Sequence, residues 1–195
     1  NAGMRGAKGT PYQGGTRVPS FWRWPGTLKG GVDVPKLAAH IDILPTFAEL
    51  AGAKVPEGLK LDGRSLVPLL RDPNAAWPDR FLFTHVGRWP RGKAAASKFQ
   101  HCAVRTARFR LVNNRELHDI LADPGETKNV LAEFPDAVAQ MRAAYDQWWD
   151  EVLPAMENED AVGPAVNPYK ELYWKQFGGR PETPPPAKQR ARRKQ

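Results

Sequence analysis

Along residues 135–153, Val138, Met141, Ala144, Tyr145, Trp148, Trp149 and Val152 recur at intervals of three and four. That spacing lines them along one side of an α-helix, and so wide an apolar stripe has to be covered. The runs that can cover it lie upstream. Residues 80–85 (RFLFTH), 100–105 (QHCAVR) and 108–113 (RFRLVN) are short, aromatic or β-branched, and separated by polar residues, as strands are. Residues 116–120 make a shorter fourth. Consecutive strands with short connections predict an antiparallel sheet, with the helix packed on one face. Asp123-Pro124-Gly125-Glu126 reads as a turn.

The flanking segments carry weaker patterns. Residues 1–31 are rich in Gly and Pro and read as loop, with one strand expected over 18–24 (VPSFWRW). Residues 36–52 place Leu37, Ile41, Leu44, Phe47, Ala48 and Ala51 on one expected apolar face. Pro45 splits this stretch into two pieces, the second starting near the proline, and Gly52 is suited to end it. A short helix is expected over 65–70. Beyond Pro154 the chain reads as irregular, with aromatic residues at Tyr169, Tyr173, Trp174 and Phe177 that are expected to pack back on the body.

Charge excludes less than it suggests. The net charge is +8, but residues 187–195 (AKQRARRKQ) carry five of those positive charges and no negative one. The rest is near balance, so the excess is a tail property and gives no basis for a nucleic-acid partner. Residues 181–195, Pro-rich and then basic, are expected to be disordered. No apolar run approaches the roughly 20 residues of a membrane span. The single cysteine, Cys102, cannot form an internal disulfide, and within a strand-like run it reads as a small buried hydrophobe. No Walker loop, G-x-G-x-x-G, H-E-x-x-H or G-x-S-x-G motif is present.

Four stretches, in order, carry a resemblance. Arg5-Gly-Ala-Lys-Gly-Thr-Pro-Tyr-Gln-Gly-Gly-Thr-Arg-Val-Pro19 is similar to R-G-x-K-G-x-x-x-E-G-G-x-R-V-P of the sulfatases. His40-Ile-Asp-Ile-Leu-Pro-Thr-Phe-Ala-Glu-Leu-Ala-Gly52 resembles D-L-L-P-T-L-x-x-L-A-G. Leu61-Asp-Gly-Arg-Ser-Leu-Val-Pro-Leu-Leu70 resembles L-D-G-x-S-L-x-P-L-L. Glu116-Leu-His-Asp-Ile-Leu-Ala-Asp-Pro-Gly-Glu-Thr-Lys-Asn-Val130 resembles E-L-Y-D-L-x-x-D-P-x-E-x-x-N-L. The chain thus resembles the C-terminal portion of a sulfatase of the alkaline-phosphatase-like superfamily.

That resemblance implies an α/β fold. Residues 1–75 would end the main α/β domain and 76–155 would form a C-terminal α+β subdomain, a four-stranded antiparallel sheet on a long helix. Residues 156–180 would form an irregular extension and 181–195 a basic tail. It also implies hydrolysis of a sulfate ester. Such a reaction gathers negative charge on sulfate and leaving oxygens, which a preorganised cation stabilises. Lys8, in a glycine-rich loop where the backbone can approach closely, matches the family's sulfate-binding lysine. His85, Arg88 and Trp89, at a strand end and its loop, are candidate substrate-binding residues. His40 and Asp42 invite an acid–base reading but read better as structural, with Asp42 capping the second helical piece. Arg17 is expected to be structural and to meet Gln13, which replaces the family's glutamate.

The family's nucleophile is a formylglycine made within C/S-x-P-x-R, and its divalent metal, usually calcium, sits on Asp-Asp and Asp-Asn pairs. None of these motifs is in this sequence, and Cys102 is followed by Ala-Val-Arg. Both groups are therefore expected from an upstream part, and this chain alone is expected to be inactive, with no metal ligand assigned. The resemblance implies a periplasmic or secreted protein. Two alternatives stay open: a phosphate or phosphonate ester hydrolase of the same superfamily, and a non-enzymatic module binding polyanions through its tail. The identity of the ester and the oligomeric state are not legible.

Overall fold

Four runs of alternating residues pair because only together can they share one buried face. The computed structural model describes residues 1–156 and 166–179. Strands β1 (Leu82–His85), β2 (Cys102–Arg105), β3 (Phe109–Val112) and β4 (Glu116–Asp119) form an antiparallel sheet in chain order. Neighbouring side chains point to opposite faces, and the register sorts them. Phe83, Val104, Leu111 and Leu117 align on one face. Leu82, Arg105, Arg110 and His118 align on the other.

The first face is closed by the long helix α4 (Pro135–Met156), whose Val138, Met141, Tyr145 and Trp149 are buried. They form one core with Cys102, Val104, Leu111, Leu117 and Val130. Phe99 stacks on Tyr145 at 4.6 Å, and Phe83 on Trp148 at 4.9 Å. Each large apolar side chain removed from water here stabilises the fold by about 1.5–3 kcal/mol. Cys102 is buried among them, and burial pushes its thiol up. α4 continues through Pro154 to Met156, past its expected end. A proline in the last turn forfeits one hydrogen bond, to a carbonyl at an exposed position where water can replace the donor.

Upstream lie a one-turn helix α1 (Gln13–Thr16), a 3-10 turn (His40–Asp42), α2 (Ile43–Leu50) and α3 (Val67–Arg71). Pro45 stands in the first turn of α2, as its sequence suggests, and the chain leaves through Gly52 at φ +63°. The expected burial of this helix is reversed. Asp42 and Thr46 are buried, whereas Ile43, Leu44 and Phe47 are exposed. The polar side has the better partners. Asp42 accepts from the backbone N–H groups of Ala39 at 2.8 Å and Arg64 at 3.0 Å, and pairs in fork geometry with Arg80. Thr46 Oγ1 donates to the Asp42 carbonyl and accepts from Leu66 N–H at 2.9 Å. Asp42 therefore closes the 3-10 turn instead of capping α2. Burial alone would raise its carboxyl; the bonds from Arg80, Arg64 and Ala39 outweigh it and hold the group below its usual range.

No strand forms at residues 18–24, which have no regular secondary structure and no partner strand among the described residues. Pro19 removes one donor, and Phe21 is 93% exposed. Contacts divide the chain into two units, 1–157 and 158–195. In the second, the expected irregular extension is helical over α5 (Pro168–Phe177), where Asn167 accepts from Tyr169 N–H at 2.9 Å as N-cap. Asn167-Pro168 is a helix start, an Asx cap followed by a first-turn proline. Residues 157–165 and 180 of that extension, and the 181–195 tail, lie outside the described residues.

Candidate functional site

The glycine-rich segment at the start of the chain folds as a tight loop on the second face of the sheet. Lys8 and Gly9 form the corner of a turn closed by Thr10 N–H donating to the Ala7 carbonyl at 3.0 Å. Gly9 takes φ +86°, the positive value a type II corner requires. Thr10 Oγ1 reinforces the turn, donating to Ala7 O at 2.7 Å and accepting from Ala7 N–H at 3.1 Å. Gly14 N–H returns to the Arg5 carbonyl at 2.7 Å. A Cβ at Gly14 would sit 2.5 Å from the Gly6 oxygen, and one at Gly15 2.3 Å from the Thr10 oxygen. Only glycine lets α1 lie this close to the loop backbone. Lys8 is left exposed at the corner.

The flanks of the loop are fastened to residues that hundred-residue separations hide in the sequence. Arg5 Nη1 donates to Glu116 Oε2 at 2.6 Å, and Tyr12 Oη donates to Glu116 Oε1 at 2.8 Å. The Arg5 guanidinium also covers the Tyr12 ring at 4.0 Å. Arg110 Nη1 donates to the Pro11 carbonyl at 3.0 Å. Glu126 Oε2 accepts from Gln13 N–H at 2.7 Å, and its other oxygen lies 3.0 Å from Arg110 Nε, off the hydrogen-bonding line. Burial lowers the Arg110 guanidinium's affinity for its proton, and Glu126 opposes this.

Gln13 differs from its expected role. Its amide donates to the Pro124 carbonyl at 3.2 Å, and Arg17, which is exposed, meets it only through the backbone. The turn 123–126 draws the amide away because it stands directly beneath α1. Asp123 holds that turn by accepting from the N–H groups of Thr127 at 2.6 Å and Lys128 at 2.8 Å.

His85, Arg88 and Trp89 lie elsewhere. His85 is at the end of β1 and faces α4, on the side of the sheet opposite the loop. Its ring packs against Trp149 at 5.0 Å and Trp89 at 5.4 Å. Nε2 faces the Ser97 carbonyl at 3.2 Å, and Nδ1 accepts from Gly87 N–H at 3.1 Å. Both nitrogens are thus engaged by backbone in the neutral tautomer, and burial lowers the ring's affinity for a proton. Trp89 is half-buried on the same cluster, and Arg88 is exposed. Among the described residues, no hydrogen bond or ion pair joins Lys8 to these three. His40 is exposed, and Asp42 is committed to Arg80.

Sequence reasoning missed the fastening residues Arg5, Tyr12, Arg110, Glu116 and Glu126. For Arg110 and Glu116 the available signal was charge at strand positions that alternate with Leu111 and Leu117, since a buried charge needs a partner. Among the described residues, no group of three or more His, Cys, Asp or Glu side chains is arranged to hold a metal ion. None of their helices is long and apolar enough to cross a membrane.

Comparison with known proteins places this geometry. Residues 7–148 match the family model described as N-sulphoglucosamine sulphohydrolase, C-terminal. Mouse steryl-sulfatase is 39% identical over 105 residues, 51% of this chain and 17% of that protein. Human arylsulfatase A is 32% identical over 163 residues, 74% of this chain and 32% of that protein. The crystal structure of Ps i-CgsB in complex with k-i-k-neocarrahexaose superposes with a TM-score of 0.65 at 23% identity, over 89% of this chain and 36% of that one. That likeness shows the fold alone, the four-stranded antiparallel sheet closed by a long helix. The chain spans about a third or less of the length of these relatives. With its matched segment running from the glycine-rich loop into α4, the chain belongs to the N-sulphoglucosamine sulphohydrolase C-terminal family, and hence to the sulfatases.

Proposed function

We propose that this chain is the C-terminal portion of an exported enzyme, periplasmic or secreted, that hydrolyses a sulfate ester, with Lys8 as the cation that meets the sulfate oxygens. The observation that carries this reading is the loop itself. Its R-G-x-K-G pattern is kept, Lys8 stands free at the corner, and both flanks are fastened to the sheet. A cation held at a fixed corner needs no reorganisation as charge builds on the ester oxygens. Arg88 extends the reading as a substrate contact, supported from behind by His85 and Trp89. On this reading residues 1–75 end a larger α/β domain, which would cover the exposed Ile43, Leu44 and Phe47. The formylglycine nucleophile and a divalent cation, calcium by resemblance, would come from that larger body. The described residues offer no group of side chains that fits a metal, so the ligands too would come from that larger body.

The test is Lys8→Ala in the full-length enzyme. Loss of an aligned charge-stabilising group costs on the order of 100- to 1,000-fold in kcat, with Lys8→Arg recovering part of it. An unchanged kcat for Lys8→Ala would sink the assignment. The 195-residue chain alone should show no turnover.

A further inference from the structure

His118 occupies the place of the tyrosine in the E-L-Y-D-L pattern, and its side chain is 1% exposed. It shares a face of β4 with Glu116, two residues away. Its Nδ1 lies 2.8 Å from the Lys128 carbonyl oxygen, and its Nε2 lies 3.2 Å from Glu116 Oε2. Neither partner can donate: one is a carbonyl, the other a carboxylate. A neutral imidazole has one N–H and one bare lone pair, so either tautomer would aim a lone pair at an acceptor. Only the imidazolium satisfies both contacts.

Glu116 is also the acceptor for Arg5 and Tyr12, the residues that fasten the loop carrying Lys8. Burial would raise the Glu116 carboxyl, but the bonds from Tyr12 and Arg5 outweigh it, so the group stays ionised below its usual range. Burial and the Glu116 carboxylate push the Tyr12 phenol up, which keeps it a donor. The other charges around the ring are accounted for. Arg110 is its cross-strand neighbour and is balanced by Glu126. Arg105 is one strand further along the same row. The Tyr12 ring meets the imidazole edge-on at 6.4 Å, and Asp123 lies in the adjoining turn.

We infer that His118 is a protonation-dependent positioning residue: its imidazolium holds Glu116 where Arg5 and Tyr12 fasten the glycine-rich loop to the sheet. The clamp needs Glu116 ionised and His118 protonated. It is therefore complete while Glu116 is ionised and the imidazole carries both protons, and it is released when the ring loses one of them. Histidine is the side chain suited to such a change in mild conditions. The consequence for catalysis rests on the sulfatase reading of Lys8, whereas the clamp itself does not.

The experiment is a pH titration of the 195-residue chain by NMR, reading the imidazole ring nitrogens together with the Arg5 and Tyr12 side chains and the amides of residues 6–15. At the acid end of the folded range, both His118 nitrogens should carry protons. As pH rises, the Arg5, Tyr12 and loop signals should shift with the His118 midpoint. His118→Gln keeps an N–H donor at every pH and should abolish that shared transition; wild type alone gives the answer if the variant does not fold. A singly protonated His118 throughout the folded range, or loop signals indifferent to its titration, would overturn the inference. In the full-length enzyme, His118→Gln should move the basic limb of the kcat/KM profile and spare the rate at the optimum. If Lys8→Ala proved harmless while the NMR midpoints coincided, the sulfatase role of Lys8 would fail and the clamp would stand.

Discussion

Glu126 and Arg110 form an ion pair sealed from water, 3.0 Å apart, that joins the turn after β4 to the middle of β3. Each also holds the glycine-rich loop by its backbone, Glu126 through Gln13 N–H and Arg110 through the Pro11 carbonyl. The pair is thus a joint between loop and sheet. Removing one member leaves a buried charge without its counterion, which costs far more than the pair itself contributes.

Glu126→Gln should therefore destabilise the chain by about 3–5 kcal/mol, read as a fall in the urea midpoint. Replacing both residues with apolar ones of similar size, as in Arg110→Met with Glu126→Leu, should recover much of that loss. If the double variant proved as unstable as the single, unpaired charge would not be the cause.

Asp42 gives a pH dependence with a definite sign. Its carboxyl titrates below the usual range when folded, so its contribution is complete above the unfolded value of about 3.9. It is lost as pH falls through the lower folded value. Urea midpoints measured from pH 7 down to 2 should fall less steeply for Asp42→Asn than for wild type. Parallel curves would place the linkage elsewhere.

His85 should act oppositely to a site acid. Burial favours its neutral ring, so its contribution is complete above the unfolded value of about 6.5 and declines as pH falls towards the lower folded value. NMR should find it neutral, with the proton on Nε2, at pH 6.5. A cationic His85 at that pH would contradict the packing against Trp149 and Trp89.

The exposed row on α2 predicts behaviour of the isolated chain. Phe47 is 57% exposed, so Phe47→Glu should change unfolding stability by no more than about 0.5 kcal/mol. It should, however, reduce binding of a hydrophobic dye and self-association in light scattering. A large loss of stability would mean that Phe47 is packed in this chain after all.

The sheet and α4 were legible because their signals are local. Alternation in 80–85, 100–105 and 108–113, and the three–four spacing from Val138 to Trp149, each state which side is apolar, and the pairing follows. Residues 18–24 misled for a related reason. VPSFWRW has strand composition, but a strand needs a partner edge, and composition says nothing about one. For α2 the period was right and the buried side was not. Its apolar residues face outward because Asp42 and Thr46 meet Arg80, Arg64 and Leu66, contacts 20 to 38 residues away that periodicity cannot see. The helix start at Asn167-Pro168 was passed over, although an Asx cap followed by a first-turn proline is a local signal.

Lys8 was singled out by its place in a motif, because a turn of glycines around one lysine is specified within a dozen residues. That same sequence could not say what holds the turn still. Arg5, Tyr12 and Gln13 meet Glu116, Glu126 and Pro124 across more than 100 positions. The sequence by itself determined the family resemblance, the four strands with α4, and the choice of Lys8, all short-range properties of the chain. Only the tertiary structure decided that His118 stands between two acceptors, that His85 is engaged by backbone, and that the two lie on opposite sides of one sheet. Hydrogen-bond partners are chosen by where strands and turns meet, and that is fixed only when the whole core closes.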